Sequence, residues 1–126
     1  MDVVIVDDAL LIQMHLKSFF KNVMKYNVVA TGNDGIAAVE LYKDFKPDLL
    51  TLDLSMPNKN GTDALREILE FDPKARVIIC SAITDANKIT ETLNMGACCY
   101  IKKPLIFSDP EYILQIKEDI AEALED

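Results

Sequence analysis

Short apolar runs alternate with longer stretches in which apolar residues recur every three or four positions, and the alternation repeats five times along the chain. Val3-Val4-Ile5-Val6 is β-branched throughout and stops at Asp7-Asp8, which predicts a strand. Leu10, Leu11, Met14 and Phe19 then recur at helical spacing. Val28-Val29-Ala30 predicts a short second strand and Thr31-Gly32-Asn33-Asp34-Gly35 a turn. Ile36, Val39, Tyr42 and Phe45 form an i, i+3, i+6, i+9 stripe for a second helix that Pro47 ends. The third strand, Leu49 to Leu52, runs into Asp53, and the loop from Leu54 to Gly61 carries the turn formers Pro57, Asn58 and Asn60. Thr62 is placed to cap a third helix through Leu65, Ile68 and Leu69, which Asp72-Pro73 stops. Val77 to Cys80 predicts a fourth strand with Ser81 at its end, followed by a helix from about Thr84 to Met95 closed by Gly96. Cys99-Tyr100-Ile101 is the fifth strand; Lys102-Lys103-Pro104 follows it, and Ser108-Asp109-Pro110 opens a last helix that continues to the C-terminus. The methionines and phenylalanines on these stripes are assigned to the core.

Alternating strands and helices specify a parallel sheet with crossover helices. Five such units in 126 residues leave about 25 each, close to the least that a strand, its loops and a crossover helix need. A single domain spanning 1–126 is expected, with no linker and no second domain. Right-handed crossovers with both faces covered give an open doubly wound sheet of order 2-1-3-4-5.

Composition narrows the function classes. Half the residues are apolar, enough for a core without staples and too many for a disordered chain. The 13 basic and 21 acidic residues give a net charge of −8, which disfavours nucleic acid and anionic membrane surfaces but not cations. No apolar stretch is long enough to span a bilayer, and MDVVIVDD lacks the basic start of a signal peptide, so a cytoplasmic protein is expected. Cys80, Cys98 and Cys99 lack metal-ligand spacing and are assigned as free thiols, and His15 as a surface position of the first helix.

In a doubly wound sheet ligands bind outside the carboxyl ends of the strands, at the switch point between strands one and three. The residues there are Asp7 and Asp8, Asp53, Ser81 and Lys103. Taken singly, each has an ordinary reading as a turn, cap or exposed loop residue. Together they place three carboxylates, a hydroxyl and an ammonium on one edge. Three carboxylates in one site need a compensating cation, and oxygen-only ligands with room for water and a phosphate oxygen suit Mg²⁺. Asp53 could then act as a nucleophile toward a phosphoryl donor, with Mg²⁺ and Lys103 neutralising the phosphoryl oxygens and Ser81 donating to one of them. Pro104 adds a turn that can be cis and so aim Lys103.

The segments KPDLLTLDLSMPNKNG, REILEFDPKARVIICSA and GACCYIKKP resemble the receiver domain of two-component response regulators, most closely the stand-alone chemotaxis regulators of the CheY type, over essentially the whole chain. The resemblance implies a flavodoxin-like (βα)5 fold. It implies that Asp53 is the phosphoacceptor, in the pattern formed by Asp53, Met56, Pro57 and Gly61. Asp8, Asp53 and the backbone carbonyl of Ser55 would ligate Mg²⁺, with Asp7 acting through water. Ser81 would be the switch hydroxyl, Tyr100 the switch aromatic, and Lys103 rather than Lys102 the phosphate-binding lysine. A CheA-like histidine kinase would be the donor and a phosphorylation-dependent protein the target, with a phosphatase as a further partner. The signal would be a change in the surface of helix four, strand five and helix five. The implied molecule is a monomer that catalyses only its own phosphorylation and dephosphorylation and binds neither nucleic acid nor membrane.

Several positions depart from the commonest family pattern. Leu105 stands where phenylalanine is frequent, Gln13 where chemotaxis members often carry a basic residue, and the stretch from Leu105 to Pro110 looks long. The last helix carries Glu111, Glu118, Asp119, Glu122, Glu125 and Asp126 against Lys117, either a solvated face or a match for a basic partner groove. Chemotactic output, phosphorelay and phosphate sink share one site and differ only in partners. A phosphohydrolase of the haloacid-dehalogenase type wants Asp-x-Asp where this chain has Asp53-Leu54-Ser55, and a flavodoxin-like carrier wants a hydroxyl- and glycine-rich loop where it has Asp7-Asp8.

Overall fold

Val3, Val4, Ile5 and Val6 have essentially no exposed surface, which requires cover on both faces of the strand they form. The computed structural model describes residues 1–125 and provides that cover. The strands are β1 (Asp2–Val6), β2 (Asn27–Gly32), β3 (Leu49–Leu52), β4 (Val77–Ser81) and β5 (Cys99–Lys102). The helices are α1 (Leu10–Asn22), α2 (Gly35–Phe45), α3 (Gly61–Phe71), α4 (Ala86–Met95) and α5 (Pro110–Ala123). All strand pairings are parallel, in the expected order β2-β1-β3-β4-β5.

Alternate residues of each strand feed opposite faces. Val4, Val6, Leu50, Leu52, Val77 and Ile79 pack with Ala38, Val39 and Tyr42 of α2 and Ala64, Leu65 and Ile68 of α3. Val3, Ile5, Leu49, Ile78, Cys80 and Ile101 pack on the other face with Leu16, Phe19 and Phe20 of α1 and Ile116 and Ile120 of α5. The sheet is thus the middle layer of three, and the loops leaving its carboxyl edge are free to build a site.

Six local expectations are corrected. Leu10, Leu11 and Met14 are 69%, 61% and 58% exposed, whereas Leu16, Phe19 and Phe20 are buried. At about 100° per residue Met14 lies roughly 160° from Leu16, on the opposite side of α1. Ile36 and Phe45 are likewise exposed while Val39 and Tyr42 are buried. An i+3 stripe slips about 60° per step, so residues nine apart face opposite ways. With Met1, Phe45 and Phe71 exposed as well, the core assignment of methionine and phenylalanine fails at these positions and holds for Phe19 and Phe20. The cap of α3 is Asn60, whose Oδ1 accepts from the Asp63 N–H at 2.9 Å, because the helix already starts at Gly61 and Thr62 lies within its first turn. Finally, β2 takes in Thr31 and Gly32 from the expected turn, and α4 starts at Ala86, two residues after its expected start at Thr84, with Asp85 as its cap.

The cap of α5 is as expected: Asp109 accepts from the Glu111 N–H at 3.0 Å and Pro110 occupies the first turn. The helix stops at Ala123 with Leu124 as its C-cap, short of the expected run to the C-terminus, so Glu125 lies beyond it and Asp126 outside the described residues. His15 is exposed, all three cysteines are free thiols, and among the described residues no helix is long and apolar enough to cross a membrane.

Candidate phosphoryl and metal site

The β ladder continues one residue past the strands and so sets two carboxylates side by side. Asp7 N–H donates to the Gly32 carbonyl at 3.0 Å, and Asp53 N–H to the Val6 carbonyl at 3.2 Å. Asp7 and Asp53 are 1% and 5% exposed, while Asp8 is open to solvent. Carboxylate oxygens of the three lie within 4.8 Å of one another, the only such metal-competent group among the described residues.

Lys103 reaches this group from the far side of the sheet. Its backbone N–H donates to the Ser81 carbonyl at 2.9 Å, the Lys103–Pro104 peptide is cis, and its ammonium donates to Asp7 Oδ2 at 2.7 Å and Asp53 Oδ2 at 3.2 Å. Lys102 is exposed. Burial raises the pKa of Asp7, a rise that the Lys103 hydrogen bond limits. Burial alone would lower the pKa of Lys103, but the hydrogen bond to Asp7 and the charges of Asp53 and Asp7 outweigh it and raise the pKa. Three carboxylates and one ammonium leave a formal charge of −3 + 1 = −2. That deficit, with oxygen-only donors, fits a hard divalent cation.

Backbone N–H groups anchor the second oxygen of each buried acid: Ala9 donates to Asp7 Oδ1 at 2.9 Å and Ser55 to Asp53 Oδ1 at 3.2 Å. The loop from Leu54 to Asn60 closes tightly over Asp53. A Cβ at Gly61 would stand 2.2 Å from the Asp53 carbonyl oxygen, so the family-pattern glycine has a steric cause here. Ser81 is fully buried and its Oγ accepts from the Ile83 N–H at 3.2 Å. The half-buried Tyr100 hydroxyl donates to the Ile83 carbonyl at 2.6 Å, so the backbone of one residue, Ile83, links the two sequence-predicted switch residues. All five sequence-predicted edge positions therefore lie at the carboxyl edge, with Lys103 in direct contact with two of the acids.

Sequence reasoning missed a structural role for Gln13, noted only as a departure. Its Nε2 donates to the Asp7 carbonyl at 2.6 Å and the Gly32 carbonyl at 3.1 Å. Only its placement in the early turns of a helix following Asp7-Asp8 could have hinted at this.

Fold and site together define a doubly wound α/β domain with a cation-competent carboxylate pocket at its switch point. Residues 3–116 match the response regulator receiver domain, and the chain belongs to that family of signalling proteins. It is 42% identical over 102 residues to the chemotaxis protein CheY of Thermotoga maritima, covering 81% of this chain and 84% of that one. The same identity and coverage relate it to protein CcdB of Bacillus subtilis. Among solved structures, a chain of the CheX-CheY-BeF3-Mg²⁺ complex from Borrelia burgdorferi superposes with a TM-score of 0.90 at 32% identity, covering 100% of this chain and 90% of that one. The response regulator domain of Thermotoga maritima CheB superposes with a TM-score of 0.81 at 34% identity, covering 98% of this chain and 92% of that one.

Proposed function

We propose that this chain is a phosphoacceptor signalling domain. Asp53 takes a phosphoryl group from the phosphohistidine of a CheA-like histidine kinase: a carboxylate oxygen bonds to phosphorus, the P–N bond breaks, and the imidazole leaves with a proton. Asp8, Asp53 and the Ser55 carbonyl would hold Mg²⁺, with Asp7 acting through water, and the ion would offset charge on the transferring phosphoryl oxygens. Lys103 and Ser81 then hold the phosphoryl oxygens of the product, and Tyr100 carries the change to the surface of α4, β5 and α5. The observation that carries this reading is the Lys103 ammonium bonded to both Asp7 and Asp53, with Asp8 beside them.

Similarity to chemotaxis proteins CheY supports a chemotactic role, which we propose is carried out by a cytoplasmic monomer with a phosphorylation-dependent protein target. The exposed Leu10, Leu11 and Met14 begin the helix that follows Asp7-Asp8 and supply an apolar rim on which a donor protein can seat.

Incubation with acetyl phosphate and Mg²⁺ should give a hydroxylamine-labile phosphoryl adduct, visible by intact mass, that is missing in Asp53→Asn and without Mg²⁺. An adduct of equal yield in Asp53→Asn would overturn the assignment.

A further inference from the structure

Of the three acids, Asp8 has the least to hold it. Asp7 is pinned by Lys103 and the Ala9 N–H, and Asp53 by Lys103 and the Ser55 N–H. The Asp8 carboxylate is exposed and has no hydrogen-bond partner among the described residues. Its direction is therefore set by the backbone on which it stands.

That backbone is gripped by a side chain. The Asp7 carbonyl belongs to the peptide unit whose N–H is that of Asp8, so fixing its oxygen fixes the plane from which Asp8 departs. The Gln13 amide nitrogen donates to this oxygen at 2.6 Å and to the Gly32 carbonyl on β2 at 3.1 Å. Both acceptors are carbonyls, so only the NH₂ end of the amide can serve both. Gln13 itself is held in the first turn of α1 by its N–H to the Ala9 carbonyl at 3.1 Å. One side chain thus ties α1, the end of β1 and the end of β2 together beneath Asp8.

We propose that Gln13 is a positioning residue for Asp8, setting the geometry with which the acidic group receives a small divalent cation. This rests on the Mg²⁺ reading above. Mg²⁺ demands near-octahedral ligands at short range, whereas Ca²⁺ tolerates loose geometry. A misplaced Asp8 should therefore cost Mg²⁺ more than Ca²⁺, a difference that general loosening of the fold or a change of charge would not produce.

The test uses Gln13→Met, which keeps length and neutrality but has no donor, and Gln13→Asn, which is milder and too short to reach both carbonyls. In metal-free protein the amide signals of Asp8 and Asn33, the N–H groups of the two affected peptides, should move in ¹H–¹⁵N spectra. Titration should then show Mg²⁺ binding weakened roughly tenfold in Gln13→Met, the lower end of what groups orienting a metal ligand usually supply, with Ca²⁺ weakened less than about threefold. Gln13→Asn should follow with a smaller effect of the same sign. Equal weakening of both ions, or Mg²⁺ binding within about twofold of the parent, would overturn the proposal and leave the site reading intact. A parent protein that binds no Mg²⁺ would overturn both.

Discussion

Replacing Lys103 with methionine keeps its length and apolar stem and removes the one cation among three acids. The ammonium lies 2.7 Å from Asp7 Oδ2 and 3.2 Å from Asp53 Oδ2, and the side chains are 14%, 1% and 6% exposed. At an effective dielectric of about 20, unit charges about 4 Å apart interact by roughly 4 kcal/mol, and breaking a buried pair by removing one partner costs roughly 3–5 kcal/mol. Protonation of one acid recovers part of that, so metal-free Lys103→Met should be about 2–4 kcal/mol less stable at neutral pH. For a chain of this size that is a fall in Tm of about 10 °C. The pH dependence has a definite sign. Burial already raises the native pKa of Asp7 above its ordinary 3.8. Ionising it therefore costs the fold, and its contribution falls as pH rises from about 3.8 through the native value. Without Lys103 the native value climbs further, so the deficit of the variant should be small in acid, grow with pH and level off above the new value. Saturating Mg²⁺ should restore more stability to the variant than to the parent, because in the variant no ammonium already offsets the acids that it meets. Thermal melts from pH 4 to 8, with and without Mg²⁺, measure all of this. A metal-free Tm unchanged at pH 8, or an equal loss in Lys102→Met, would refute the reasoning.

Other substitutions probe separate parts of the molecule. Leu11→Glu, on a side chain that is 61% exposed, should leave phosphorylation by acetyl phosphate unchanged and slow transfer from a cognate phosphorylated kinase at least tenfold, as measured by radiolabel transfer. Tyr42→Phe removes the 2.7 Å hydrogen bond to Asp72 that holds the Asp72 carboxyl below its ordinary 3.8. It should cost about 1 kcal/mol in urea unfolding at pH 7, a difference that fades as pH falls below 3.8, where the acid protonates. Burial pushes the Cys80 thiol up to about 12, so at pH 8 a disulfide reagent should leave Cys80 untouched in the folded protein and modify it once urea is added.

The parts of the fold that sequence conveyed well are those in which one physical constraint dominates. Val3 to Val6 and Leu49 to Leu52 are buried on both faces, so their apolar runs are uninterrupted and end where the chain leaves the sheet. Those same ends identify Asp7, Asp53 and Ser81, and the spacing to Pro104 separates Lys103 from Lys102 only with the help of family resemblance. Helical faces were harder to read. Leu10, Leu11 and Met14 satisfy a local spacing but lie out of phase with Leu16, and only the docked sheet decides which phase is core. Gln13 was illegible for a different reason. Its partners are backbone oxygens of Asp7 and Gly32, and a carbonyl acceptor leaves no trace in residue identity.

Lys103 follows β5, an edge strand hydrogen-bonded only to β4. Edge elements open locally at lower cost than the strands between β1 and β4, and an opening there withdraws the ammonium while Asp7 and Asp53 stay in place. The site is therefore assembled from acids that follow central strands and a cation that follows an edge strand. A phosphoryl group on Asp53 gripped by Lys103 would keep β5 closed, so those amides of β5 that bond to β4 should exchange with solvent more slowly in the phosphorylated protein. Signalling state would be written in the opening frequency of an edge strand, and a partner covering that edge would read it without touching the phosphate.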